Sequence, residues 1–347
     1  MKLLVFPADC ESDFESFELV ERVGGEVIGA SSVLHSSFLG EETVYLPYIT
    51  DSSFLDSLEA LLIQENISHI YTSHAGVWAL LSSNIQGEGR AFPVNLSSDF
   101  PFDVTWNRFQ VAQKWAKNIS GRMSVNEKNS SVSEAHLSGL FSQYHQIPGQ
   151  SDAAKLEALV NLAPRVPSGD WVEIGSLYGR SSFALGWLAN HFLGSPLICI
   201  DPWDSLRVKP QQNKAAVLDS QIKSIDSEKI FQIFKSAIAL QPNITYLKAL
   251  SEEGVERYLD SDFDGKRLDV SHKIAFLHID GNHHFDEVTK DITLWEPHVC
   301  KGGWLAIDDY LWAFGDGPKK AGDNLLRTGR FDEAFVSGDT LYMRKAF

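Results

Sequence analysis

Residues Lys273 to Tyr310 read KIAFLHIDGNHHFDEVTKDITLWEPHVCKGGWLAIDDY. Two short apolar runs, Ile274 to Ile279 and Trp304 to Ile307, each end in acid: Asp280 after the first, Asp308 and Asp309 after the second. Both runs have strand length and are too short for helices. Between them, Asp286 to Pro297 puts Val288, Ile292, Leu294 and Trp295 on a helical face and closes with Pro297 and a Gly302-Gly303 turn. In such a strand, helix, strand unit the strands run parallel and ligands gather outside their carboxyl ends. Asp280, Asp308 and Asp309 therefore converge at one edge of one sheet. Carboxylates brought together repel unless a proton or a cation intervenes, and hard oxygen ligands favour Mg2+, Ca2+ or Mn2+ over zinc. His283 and His284 follow Asp280 on the loop facing the same spot. Each acid taken alone also reads as a capping residue.

The chain has 347 residues, enough for two domains with separate cores. A net charge of -16 disfavours nucleic acid, whose phosphates attract Lys and Arg. Residues 1–60 hold twelve Asp or Glu against only Lys2 and Arg22, which reads as a solvated acidic face. Cys10, Cys199 and Cys300 are too few and scattered for a disulfide framework or a zinc site, which fits a reducing cytoplasm. The opening MKLLVFPADCESDFES lacks the basic leader and long apolar core of a signal peptide, and no run has membrane-spanning length.

From the start, Leu3 to Phe6 reads as a buried strand, followed by a helix through Phe14, Phe17, Leu19, Val20 and Val23 that Gly24-Gly25 ends. Val27 to Ala30 is a second strand. A helix from about Ser53 to Asn66 follows the cap signal Asp51-Ser52-Ser53, and Ile67 to Thr72 is a third strand. Short loops between these elements imply a small parallel α/β domain over 1–95. Its first turn, Pro7 to Glu11, lacks the glycine fingerprint of a dinucleotide site. The pattern VGGEVIGAS followed by YLPYITDSSFLDSLEALLIQENISHIY resembles the small α/β domain that precedes the nucleotide-binding part of ATP-grasp enzymes, though no ATP-grasp body follows.

Residues 96–144 read as a helical and linker segment. Trp106, Phe109, Val111 and Trp115 have helical spacing suited to packing, and Ser124 to Ser138 has linker composition. Ser151-Asp152 can cap a helix whose Leu156, Leu159, Val160 and Leu162 form an apolar face, stopped by Pro164 and Pro167. Asp170 to Ser181, DWVEIGSLYGRS, is a strand feeding a tight turn in which Gly175 and Gly179 remove side chains, so that a ligand can lie against the backbone. Some twenty residues on, the strand Pro196 to Ile200 ends in Asp201-Pro202-Trp203, an acid placed to accept hydrogen bonds from ribose hydroxyls.

VEIGSLYGRS, ICIDPW, the stretch from Phe276 to Tyr310 and the late hairpin-like FDEAFVSGDTLYMRKA together resemble class I S-adenosylmethionine-dependent methyltransferases. The similarity is to the macrocin-type and related sugar O-methyltransferases and covers residues 145–347. It implies an α/β, Rossmann-like, mostly parallel sheet with helices on both faces. It also implies that Glu173, Gly175, Ser176, Gly179 and Ser181 hold the methionine part of the cofactor, that Asp201 binds ribose, and that Trp203 and the Ala249-Leu250-Ser251 segment border adenine. Asp280, Asp308 and Asp309 match the family's Mg2+ ligands, with Mn2+ as substitute, and His283 its proposed base beside Asp280. The doubled His283-His284 leaves open which ring points inward. A metal that binds an acceptor oxygen fixes it and lowers its pKa, which suits an alcohol acceptor. The implied function is metal-dependent O-methyl transfer to a sugar or glycosylated small molecule, without nucleic-acid or membrane partners, homo-oligomer formation being open. A non-catalytic cofactor-binding assembly protein and a hydroxylase-like enzyme of the same fold are the alternatives.

Overall fold

The computed structural model describes residues 2–10, 24–86, 94–96, 99–123, 132–210 and 226–346. The chain divides into two compact units, Met1–Val111 and Ala112–Phe347. The first is built on β1 (Lys2–Val5), β2 (Glu26–Ser31), the short antiparallel pair β3 (Ser37–Phe38) and β4 (Glu41–Glu42), then β5 (Val44–Tyr45), β6 (His69–Tyr71) and β7 (Asn95–Leu96). Five of these form a parallel sheet in the order β5-β2-β1-β6-β7. Helix α1 (Phe54–Gln64) buries Phe54, Leu58, Leu61 and Leu62, a helical-period stripe, against Leu4, Phe6 and Ile70. Its start follows the expected cap signal by a different route. Asp51 Oδ1 accepts from the Ser53 N–H at 3.0 Å and its hydroxyl at 2.8 Å, while Ser53 makes no side-chain cap. Helix α2 (Ala75–Gln86) lies between β6 and β7 in the chain. The helix expected through Phe14 to Val23 lies outside the described residues.

Helix α3 (Pro101–Met123) opens with proline in its first turn, where the missing N–H costs nothing. Packing was expected of Trp106, Phe109, Val111 and Trp115; Trp115 packs against the core and on Phe141, whereas Trp106 is 43% exposed and Phe109 and Val111 are also exposed. The buried side of the helix is made by Ala112, Ala116 and Ile119. Helix α4 (Glu134–Gln146) begins inside the serine-rich stretch read as a linker. The Ser133 side chain accepts from the His136 N–H at 3.2 Å, so the residue that suggested a loop is the helix cap. Helix α5 (Ala153–Leu162) starts as expected, with Asp152 Oδ1 accepting from the Lys155 N–H at 2.8 Å.

The second unit carries a seven-stranded sheet of β8 (Asp170–Ile174), β9 (Leu197–Asp201), β10 (Ile244–Lys248), β11 (Ile274–Ile279), β12 (Val299–Ile307), β13 (Phe331–Ser337) and β14 (Thr340–Lys345). Their order is β10-β9-β8-β11-β12-β14-β13, parallel except for β14, which runs against β12 and β13. Strand order reverses between β8 and β11, the place where open α/β sheets take ligands. Ile279 pairs with both Ile174 and Ile307, so Asp280 and Asp308 emerge side by side at that edge. The Gly302-Gly303 pair is not the expected turn. It lies inside β12, where the pairing with β11 slips between Val299 and Trp304, an irregularity of the bulge type.

Helices α6 (Arg180–Leu193), α7 (Ser227–Ile238), α8 (Ser251–Leu259), α9 (Phe285–Trp295) and α10 (Gly317–Leu326) complete this unit. One core face gathers Trp171, Leu185, Phe234 and Trp304 with residues from α3, α4 and α5, and the other gathers Val172, Ile200, Ile292 and Trp295. Among the described residues no helix is long and apolar enough to cross a membrane.

Candidate functional site

The turn after β8 is shaped by a close approach of two backbones. Gly175 has φ +83°, and a Cβ there would lie 2.0 Å from the carbonyl oxygen of Asp280. Gly179, at φ +88°, then opens α6. Asp201, at the end of β9, ties this turn down. Its Oδ2 accepts from the N–H groups of Ser176 and Leu177, both at 3.0 Å, and its Oδ1 from the Trp203 N–H at 2.7 Å. Burial pushes the Asp201 carboxyl up, and the three N–H donors offset only part of that.

Glu173 is fully buried and faces inward. It accepts from the hydroxyls of Ser176, at 2.8 Å, and Ser182, and lies 3.2 Å from His278 Nδ1. Burial opposes its charge, but His278 and the serines outweigh burial and hold its pKa below the usual carboxylate value. Glu173 thus organises the turn from beneath, where a bound ligand was expected to meet it. Trp203 is likewise turned inward: it is 5% exposed, packs on Phe231, Phe234 and Tyr246, and donates its indole N–H to the Leu177 carbonyl at 2.9 Å. Its ring packs into the core. Ser181 is buried at the start of α6, and Ser251, at the start of α8, accepts from the Trp295 indole N–H at 2.9 Å.

Beside this turn the acids are arranged around a residue that the sequence stretch does not contain. Lys155, on α5, is 1% exposed, and its ammonium donates to Asp280 Oδ2 at 3.1 Å, to Ser151 Oγ at 3.2 Å and to Asp308 Oδ2. The other oxygen of Asp308 accepts from the Thr340 hydroxyl on β14. Burial disfavours a charged lysine, yet Asp280 and Asp308 outweigh it and raise the Lys155 pKa well above its ordinary value. Burial likewise works against a charged Asp308, but Lys155 and then His278 hold that carboxyl well below its usual range. Asp280 is pushed up, by burial first and by the neighbouring Asp308 charge next. His278 closes the array: its Nδ1 meets Glu173, and its buried Nε2, which has no hydrogen-bond partner, stands 4.0 Å from Asp280 Oδ2.

Asp309 turns the other way. It occupies the left-handed region at φ +54°, an uncommon conformation for a residue with a side chain. Its Oδ2 bonds His283 Nε2 at 2.5 Å, and the His283 ring stacks on Trp312 with centroids 4.3 Å apart. His284 has a separate task. Its Nδ1 accepts from the Asp286 N–H at 3.3 Å and caps α9, while its own N–H donates to Asn282 Oδ1 at 2.8 Å.

The expected trio of Asp280, Asp308 and Asp309 does not gather into one group. Two groupings bring potential ligand atoms within 4.8 Å of one another, His278 with Asp280 and Asp308, and Asp280 with His283 and Asp309. In the first, the Lys155 ammonium already bonds both carboxylates, and Asp308 has both oxygens engaged. In the second, His283 and Asp309 are bonded to each other. Three residues of this array escaped the sequence reading. His278 was hidden in an apolar run, although it stands two positions before Asp280 and so shares its face of the strand. Lys155 interrupts the apolar face of α5 one position before Leu156, a signal that could have been read. Thr340 carried no such mark.

Residues 172–310 match the family described as a methyltransferase domain. Among curated proteins none matches the chain. Of the solved structures, the O-methyltransferase NovP is 14% identical, covers 69% of this chain and 100% of its own, and has a TM-score of 0.44. An O-methyltransferase from Bacillus cereus, in complex with SAH, is 12% identical over 69% and 100% of the two chains, with a TM-score of 0.40. CalS11, described as a TDP-rhamnose 3'-O-methyltransferase, is 15% identical over 71% and 96%, with a TM-score of 0.39.

Proposed function

We propose, from the match of residues 172–310 to the methyltransferase domain family, that the chain transfers the methyl group of S-adenosylmethionine to a hydroxyl of a sugar or glycosylated small molecule. The observation that carries this reading is the His283–Asp309 pair at 2.5 Å, a base held by a carboxylate three residues past the point where the Asp280 backbone touches the glycine turn. The residues present suit the cofactor: Gly175 and Gly179 leave the turn bare, and Asp201 and Ser251 stand on the same carboxyl edge of the sheet. When bound, S-adenosylmethionine supplies a methyl group made electrophilic by its positive sulfur.

The remaining work of the chain is alignment and proton removal. His283 takes the proton of the acceptor hydroxyl, and Asp309 orients the ring and stabilises the imidazolium that results. Trp312 and the exposed Phe314, with centroids 5.4 Å apart, give an aromatic wall beside the base. Such a surface suits the apolar C–H face of a sugar ring. Mg2+ has no part in this reading, which gives Asp280 and Asp308 to Lys155 and Asp309 to His283. A cytoplasmic location belongs to the proposal as well.

The test is to incubate the full chain with S-adenosylmethionine and a panel of nucleotide sugars and glycosylated metabolites, with and without chelator, following S-adenosylhomocysteine and product mass. The expected outcome is an acceptor that gains a methyl group on oxygen. Methylation confined to amines, or cofactor binding without turnover on any hydroxyl acceptor, would sink the proposal.

A further inference from the structure

We propose that Lys155 is the resident cation of the acid cluster, and that its ammonium closes this site to divalent metal so that methyl transfer by the chain needs none. The first support is position. The ammonium bonds Asp280 and Asp308, the two carboxylates that emerge side by side from β11 and β12, and so occupies the space a shared cation would need.

The second support is saturation. Asp308 accepts from Lys155 on one oxygen and from Thr340 on the other, and Ser151 Oγ takes a further bond from the ammonium. A metal entering here must displace a cation that is 1% exposed. Removing one member of a buried ion pair leaves an uncompensated charge, which is strongly unfavourable.

The third support is that the lysine is held from several directions. Asp152 caps its helix through the Lys155 N–H, and the Ser337 hydroxyl of β13 donates to the Ala154 carbonyl at 3.4 Å. A lysine supplies fixed charge but is too enclosed to ligate an acceptor oxygen. It acts through the acids as a positioning residue, and proton removal is left to His283.

The inference rests on the proposed transferase reading for the role of the cluster, but its test needs no turnover. Mn2+ titrated into the chelator-treated full chain is followed by electron paramagnetic resonance, in parallel with Asp280→Asn. The unaltered chain is expected to show no saturable binding that Asp280→Asn removes. Such binding, if seen, overturns the proposal. Lys155→Met, which deletes the charge and keeps much of the bulk, is expected to gain one Mn2+ site and to melt at higher temperature when Mn2+ is added. A folded Lys155→Met chain that takes up no Mn2+ also overturns it. If that variant does not fold, the comparison of the unaltered chain with Asp280→Asn decides the matter alone. Failure of the sugar panel leaves these outcomes unaffected, so the two readings fail separately.

Discussion

Asp309 holds one edge of the His283 ring and Trp312 covers one face, so the imidazole is fixed before any acceptor arrives. His283→Ala is therefore expected to lower kcat by roughly 100-fold or more, the span of general base catalysis, with cofactor affinity nearly unchanged. His284→Ala removes a helix cap and should instead cost about 0.5–2 kcal/mol of stability with a small effect on kcat. Steady-state kinetics and denaturant melts of both variants separate the two roles, and equal kcat losses would contradict the assignment. The placement of the acids and His283 was legible in the sequence because each lies within four residues of a strand end, where the chain itself dictates which end of the sheet they reach. Lys155 was not, because it meets Asp280 and Asp308 from 125 and 153 residues away, and only the packing of α5 brings it there.

The strands β8, β9 and β11 and the helix α9 lie close to where periodicity placed them, since each carries its own pattern of buried residues. Helix α4 was obscured, because Ser133 looks the same in a linker and in a cap. Between α9 and α8 lies Asp291, whose carboxyl burial pushes up to about 7, the Ser251 hydroxyl opposing this only in part. With its folded pKa raised above the ordinary 3.8, the group stabilises the fold fully below that ordinary value, and the benefit is lost as pH rises through about 7. Melting temperature should accordingly fall between about pH 4 and pH 7. Asp291→Asn, neutral throughout, should flatten that slope and add roughly 1–3 kcal/mol at the alkaline end. An unchanged slope would remove Asp291 as its source. At the turn between β8 and α6, Gly175→Ala forces a Cβ against the Asp280 carbonyl in a strained backbone region. It should cost about 1–3 kcal/mol and weaken S-adenosylmethionine binding, and calorimetry beside a denaturant melt would show whether both fall together.

The second unit extends back to Ala112, because Ala116, Ile119, Val132, Leu137 and Tyr144 pack into its core. A fragment of residues 101–347, which keeps α3 whole, is expected to fold and bind S-adenosylmethionine without the preceding sheet. A fragment of residues 145–347 loses Tyr144, whose ring lies under the Arg180 guanidinium at 5.6 Å, together with the rest of that packing. It should unfold at a lower denaturant concentration. Calorimetry and denaturant melts of the two fragments provide the check, and equal stability would mean that 112–144 are dispensable. This boundary was illegible because composition marks where a chain becomes polar, whereas a unit ends where packing does.

The lysine buried among distant acids also bears on the order in which the unit assembles. As the chain is made from its amino end, α5 appears long before residues 280 and 308, and its ammonium has no partner until those strands exist. Burying that charge unpaired is costly, so it is expected to stay in water meanwhile. The expected sequence is therefore β8 with β11 and β12 first, and α5 docking afterwards. Pulse proteolysis during refolding would find α5 cleavable after those strands are protected, and protection of α5 ahead of them would contradict this order.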